Sequence, residues 1–309
     1  MSSVIRKNLR TVAIVGVVAG ALATGCSKKS VQPTDKPFTW NIQDTAVFVP
    51  RAIWGSSGTN VFVVGGGGGI LHYNGTGWSA MTSGTSQDLP GVWGISGTNV
   101  FAVGTSGTIR HYDGNGWSAV TSGTSQWLLA IWGSSATDVF TVGTGGTIRR
   151  YDGTGWSAMT SGTSQHLSAL WGSSGTDIFT VGEFGTILHY DGASWSAMTG
   201  GTSEWLVGIW GSSHTDVFAV GGHGTILHYD GTGWSAMTSG TSLHLGAIWG
   251  SSGTDVFAVG YAGTIVHYDG TGWSAMTSGT SSFLYGIWGS STANVFAVGF
   301  SGTILHGSR

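Results

Sequence analysis

The chain has 309 residues, among them 56 Gly, 16 Trp and 4 Pro, and only 8% are charged. Glycine at that level without a Gly-X-Y period excludes collagen, and the abundance of aromatic and aliphatic residues excludes a disordered chain. The formal net charge is −3, and no basic patch or stripe is present to neutralise phosphates, which excludes nucleic acid as a partner.

The first element is a targeting segment. Arg6, Lys7 and Arg10 precede an apolar run of 13 residues, positions 11–23. That is too short to cross a bilayer and fits the h-region of a signal peptide. The run ends in LATGCSKKS, which holds the only cysteine, Cys26, so no disulfide partner exists. The stretch ALATGC resembles the bacterial lipobox, although that family has Leu three before the cysteine and here Leu22 stands four before. The resemblance implies that residues 1–25 are a lipoprotein signal peptide and that Cys26 is lipidated. Acyl chains contribute about 0.8 kcal/mol per buried CH₂ and anchor a chain firmly when there are several. The expectation is an exported protein of the bacterial cell envelope, at the outer membrane or cell surface, touching the membrane through its lipid alone. Without residues 1–25, eight basic residues face fourteen acidic ones, a net of −6. Residues 26–38 then read as the lipidated cysteine and a polar tether.

From residue 39 the chain repeats. Trp54, Trp93, Trp132, Trp171, Trp210, Trp249 and Trp288 stand 39 residues apart, as do Trp78, Trp117, Trp156, Trp195, Trp234 and Trp273. Each unit predicts four short strands, for example an apolar run ending in Trp249, then DVFAVG, GTIVHYD and GWSAMTSG. The runs are rich in β-branched and aromatic residues and bounded by turn-forming Gly, Ser, Asp and Thr. Such units repeated seven times predict an all-β, seven-bladed β-propeller over residues 39–309. An open solenoid is the alternative. The termini favour the ring, because the last unit stops after its third strand, GTILHGSR, while FTWNIQ near the N-terminus carries an extra Trp40. The strand around Trp40 would complete the last blade and leave no open edge. Both Trp columns are expected to be core between blades.

The order of features in VFAVGG and ILHYDGTGW resembles kelch blades, with a shorter period. WGSSGTDVFAVG is similar to the repeats of secreted bacterial propellers grouped with BNR-like, YVTN-like and photosystem II assembly-factor-like families. The resemblance covers residues 39–309. It implies the fold and leaves function open, because propellers host many activities. The sialidase Asp-box is not matched, since Asp113 and Trp117 stand four apart with the glycines misplaced.

Comparing the seven copies separates two faces. In an antiparallel meander the loops between strands 1–2 and 3–4 share one face, and those between strands 2–3 and 4–1 share the other. The first face is uniform, reading GSSGTD and DGTG with recurring Asp113, Asp138, Asp152, Asp177, Asp191, Asp216, Asp230, Asp255 and Asp269. These acids read as turn caps rather than a calcium ring. The second face varies, and where it varies it carries large side chains. The candidate ligand-binding residues are Trp127, His166, Phe184, Trp205, His223, His244, Tyr261, Phe283, Tyr285 and Phe300. Drift favours small polar residues, whereas exposed aromatics gathered on one face mark recognition sites.

The expectation is therefore a monomeric, non-catalytic module that binds an envelope or extracellular protein, or a glycan. The alternative is a polysaccharide-active enzyme using Glu183 and Glu204 as paired carboxylates. No cofactor is expected. Nor is a metal: the column His72, His111, His189, His228, His267 and His306, with Arg150 in the odd copy, lies one per blade and reads as structural.

Overall fold

A computed structural model describes residues 38–309. The apolar run, Cys26 and most of the tether lie outside the described residues. Seven four-stranded antiparallel sheets follow one another along the chain. In blade 6 the strands are Leu245–Ser252, Asp255–Gly260, Ile265–Tyr268 and Trp273–Met276. Blade 7 supplies Leu284–Ser291, Asn294–Gly299 and Thr303–Ser308, and its fourth strand is Thr39–Thr45 from the other end of the chain. Trp40 pairs there with Gly307, antiparallel. The all-β, seven-bladed propeller and its closure by the N-terminal strand are as the sequence predicts.

The second strand of each blade is apolar on both faces because both faces are buried between blades. Val256 and Ala258 pack toward blade 5, while Phe257 and Val259 pack toward blade 7. The outer strand alternates in the same way: Trp273 packs toward blade 5 and Met276 toward blade 7. Its Ser274 and Ala275 are exposed. The outer indoles meet the preceding blade edge to face, as in Trp117 on Phe62 at 6.3 Å and Trp78 on Phe296 at 6.4 Å. Trp40 takes the same seat on Phe257, at 6.3 Å.

The invariant pair Trp-Gly in the first strand has a steric cause. The ring of Trp93 stands so close to Gly133 that a Cβ there would lie 2.6 Å from its Cη2. The same contact recurs from Trp54 to Gly94 and on around the ring, and Trp288 on Gly55 closes it. Each indole thus needs a glycine in the next blade.

The 1–2 connection is shorter than GSSGTD implies. Ser252 already pairs with Asp255, with an irregularity between Gly250 and Ser252, so only Gly253 and Thr254 turn. A bulge absorbs the extra residue and lets the strand run on through the serines.

Candidate functional site

The varied face is built on a constant backbone clamp. The 2–3 connection of every blade is one 3-10 turn, beginning at Gly66, Thr105, Thr144, Glu183, Gly222, Tyr261 or Phe300. The N–H of that first residue donates to a carbonyl at the entry to the first strand, that of the residue just before it in every blade except the second, where Asp88 stands three before. Thr144 donates to Trp127, Glu183 to His166 and Gly222 to Trp205, each at 3.0 Å, and Tyr261 to His244 at 2.8 Å. Phe300 donates to Phe283 at 2.7 Å, and Gly66 to Val49 and Thr105 to Asp88 at 3.0 Å. The Trp127 column is therefore held by its main chain, and the fold makes no demand on its side chain.

The second residue of each turn is left-handed in all seven blades. Gly67 and Gly145 adopt this conformation freely, but Ser106, Phe184, His223, Ala262 and Ser301 hold φ between 51° and 56°. A bulky residue there is strained by about 1–2 kcal/mol. Phe184 carries that strain with 72% of its surface exposed.

Among the described residues, seven of the nine exposed large apolar ones lie on this face: Val47, Trp127, Phe184, Trp205, Leu243, Tyr261 and Phe300, with Ile42 and Ile95 elsewhere. The ten candidates fall in blades 3–7, and seven of them form two neighbourhoods, which leave out Phe184, His223 and Phe300. In the first, a hollow of about 440 Å³ is lined by Trp127, Trp205, His166, Leu129, Gln126 and Thr144. The Trp205 indole N–H donates to Ser168 Oγ at 2.8 Å, which fixes that ring against the blade before its own. In the second, Phe283 meets Tyr285 at 4.4 Å, His244 at 5.5 Å and Tyr261 at 5.9 Å. Burial, with a smaller contribution from His223, holds His244 below the usual imidazole range.

The carboxylates of the alternative reading are each tied to a histidine. Glu183 accepts the His166 main-chain N–H at 3.4 Å and lies 3.8 Å from its Nδ1, and Glu204 lies 2.8 Å from His223 Nδ1. A small hollow holds Glu183 with Phe184, Ser203 and Trp205, and Glu204 does not line it. The histidines of the varied face do not converge: His166 and His223 each sit beside a different glutamate, while His244 packs on Phe283.

A second variable column, Arg51, Pro90, Leu129, Ser168, Val207, Gly246 and Tyr285, lines the central channel; six of its members lie in the first strands and Pro90 directly precedes its strand. Among the described residues, Arg51, Ser168 and Tyr285 are the channel's only polar side chains, and no carboxylate lines it. The Arg51 guanidinium lies over the Tyr285 ring, 4.6 Å from its centroid. Arg51 is not among the candidates named from the sequence, although residues 38–309 contain no lysine and only five arginines, which sets it apart.

On the uniform face the acids of the DGTG turns are caps. Asp152 accepts from the Thr154 hydroxyl at 2.7 Å, from Thr154 N–H at 2.8 Å and from Gly155 N–H at 3.0 Å. The Thr154 hydroxyl, then these amides, pull its pKa down to about 2, and Asp230 and Asp269 are lowered likewise by Thr232 and Thr271. The acids of the second strands are not caps. Asp177 pairs with His189 at 2.6 Å, Asp216 with His228 at 2.7 Å, and Asp138 with Arg150 at 2.8 Å. Asn60, Asn99 and Asn294 hold His72, His111 and His306 in the same way at 2.8–2.9 Å. Burial keeps those three histidines below the usual range. The column also stacks on phenylalanine, as in His72 on Phe62 at 4.6 Å.

No family model matches the chain, and no curated protein matches it. Solved structures do match. YCF48 bound to D1 peptide gives a TM-score of 0.74 at 17% identity, covering 89% of this chain and 98% of that one. YCF48 from Cyanidioschyzon merolae gives 0.70 at 15%, covering 86% and 98%. The WD40 β-propeller domain of Doa1 gives 0.74 at 12%, covering 88% and 97%. At these identities the likeness is one of fold, and the chain is similar in architecture to propellers of different families.

Proposed function

We propose that this protein is a non-catalytic module, anchored in the cell envelope by a lipidated Cys26, that grips a segment of another protein on its varied face. The observation that carries this reading is the gathering of the exposed apolar side chains on one face, at positions the fold fixes by backbone alone. Aromatic anchors seated in hollows supply most of the free energy in such recognition. The peptide-bound state of YCF48 supports a protein ligand. A glycan is the second reading, favoured by the exposed indoles of Trp127 and Trp205 beside one hollow.

Parallel peptide and glycan arrays probed with the protein separate the two. The proposal predicts peptide binding that drops at least tenfold in Trp127→Ala and Trp205→Ala. Glycan binding that drops in the same variants would replace it, and turnover of a polysaccharide lost in Glu183→Gln would overturn the non-catalytic reading. Fractionation of cells expressing Cys26→Ala tests the anchor: the variant is expected in the soluble fraction, and its retention on membranes would remove the lipid from the account.

A further inference from the structure

We propose that Arg51 makes the mouth of the central channel a carboxylate site, which receives an acidic group of the bound peptide flanked by an aromatic or aliphatic side chain. The inference rests on the peptide reading of the varied face and adds the chemistry of one subsite.

The propeller is poor in cations, and the other arginines that lie inside the fold have partners. Arg110 and Arg149 donate to the carbonyls of Trp117 and Trp156 at 3.1 and 3.0 Å, and Arg150 pairs with Asp138. Arg309 ends the chain. Among the described residues Arg51 makes no hydrogen bond and no ion pair; its one recorded partner is the Tyr285 ring. Stacking covers the flat face of a guanidinium and leaves its N–H edge free, the edge that binds a carboxylate with two parallel hydrogen bonds. The channel wall offers no competing acid. Of the acids on the varied face, Asp88 accepts the Gly67 N–H and Glu183 and Glu204 sit beside His166 and His223, and none of them lines the channel.

The surroundings select what carries the anion. Tyr285 leads to Phe283, and Phe283 to Tyr261 and His244, which gives an aromatic wall beside the guanidinium. The rest of the channel lining is glycine, alanine, proline and branched aliphatics, apart from Ser168. An acidic sugar would bring a ring of hydroxyls to a wall with almost nothing to bond them, and unpaired polar groups are costly. A carboxylate next to an apolar side chain finds both needs met. The site is continuous with the Trp127–Trp205 hollow, because Leu129 lines both and Ser168, which accepts from Trp205, lines the channel. A peptide can thus hold the hollow with one residue and the guanidinium with another.

The test is calorimetric titration of the protein with four probes: N-acetyl-phenylalanine, its amide, N-acetyl-aspartyl-phenylalaninamide and glucuronate. At least one of the two peptide-like acids is expected to bind tenfold or more tighter than the amide. Arg51→Gln is expected to erase that advantage while the amide's affinity is kept, and Arg51→Lys to retain part of it. An advantage for the first acid identifies a chain terminus as the source of the carboxylate, and for the second an acidic side chain. If the amide binds and neither acid gains, or if the gain survives in Arg51→Gln, the carboxylate site is overturned while the peptide face stands. If none of the three binds, both fail. Glucuronate binding tighter than either acid would overturn the peptide assignment.

Discussion

In all seven blades one carbonyl, that of Val49, Asp88, Trp127, His166, Trp205, His244 or Phe283, accepts the same hydrogen bond from the turn beside it. A residue held in this way is free to be any type, which is why aspartate, tryptophan, histidine and phenylalanine all occupy the column. The variability was legible in the sequence, but the clamp that permits it was not, because main-chain bonds leave no residue signature. The left-handed turn position was equally hidden: five blades place non-glycine residues there, against the rule by which glycine betrays such a conformation. Phe184→Gly relieves that strain and is expected to raise stability by about 1 kcal/mol in urea denaturation while weakening peptide binding. The second-strand acids were misread as caps for a related reason, since their partners lie 12 residues on, across a strand pair. The DGTG acids were read correctly, and they carry a pH signature. Their folded pKa of about 2 lies below the ordinary 3.8, so their stabilisation is complete above about 4 and is lost as pH falls toward 2. Replacing Asp152, Asp230 and Asp269 together by Asn is expected to flatten that part of a thermal-stability profile between pH 4 and pH 2.

At the scale of the element, the repeat announces the blade. Strand order and alternation follow from the period, and both tryptophan columns pack between blades, as their spacing implies. The limits of the strands were less legible, because the serines of GSSGTD read as a loop but continue the strand through a bulge. The glycine after each inner tryptophan reads as turn chemistry in the sequence and proves to be a steric necessity. Gly133→Ala would drive a methyl group into Trp93 and toward the Asp138 carbonyl, 3.0 Å away. Backbone and a packed indole have little room to yield, so the change is expected to cost about 1–3 kcal/mol, read as a lowered urea midpoint. An unchanged midpoint would show that the blades slide apart more easily than the contact implies.

The described residues form a ring closed twice, by the strand pairing of Thr39–Thr45 on Thr303–Ser308 and by Trp288 standing on Gly55. That closure gives a rigid frame with one acidic, uniform face and one varied, apolar face around a channel carrying a single unpaired arginine. The central claim is that ligands meet the varied face. All 16 tryptophans lie within the ring, two of them, Trp127 and Trp205, exposed on that face. The most direct test follows the indole N–H signals of ¹⁵N-labelled protein, assigned by Trp127→Phe and Trp205→Phe, during titration with a peptide selected on the array. The account predicts that the Trp127 and Trp205 signals shift on binding while those of the outer column, Trp78, Trp117, Trp156, Trp195, Trp234 and Trp273, stay in place. Shifts confined to that outer column, beside the aspartate turns, with Trp127 and Trp205 unmoved, would contradict it.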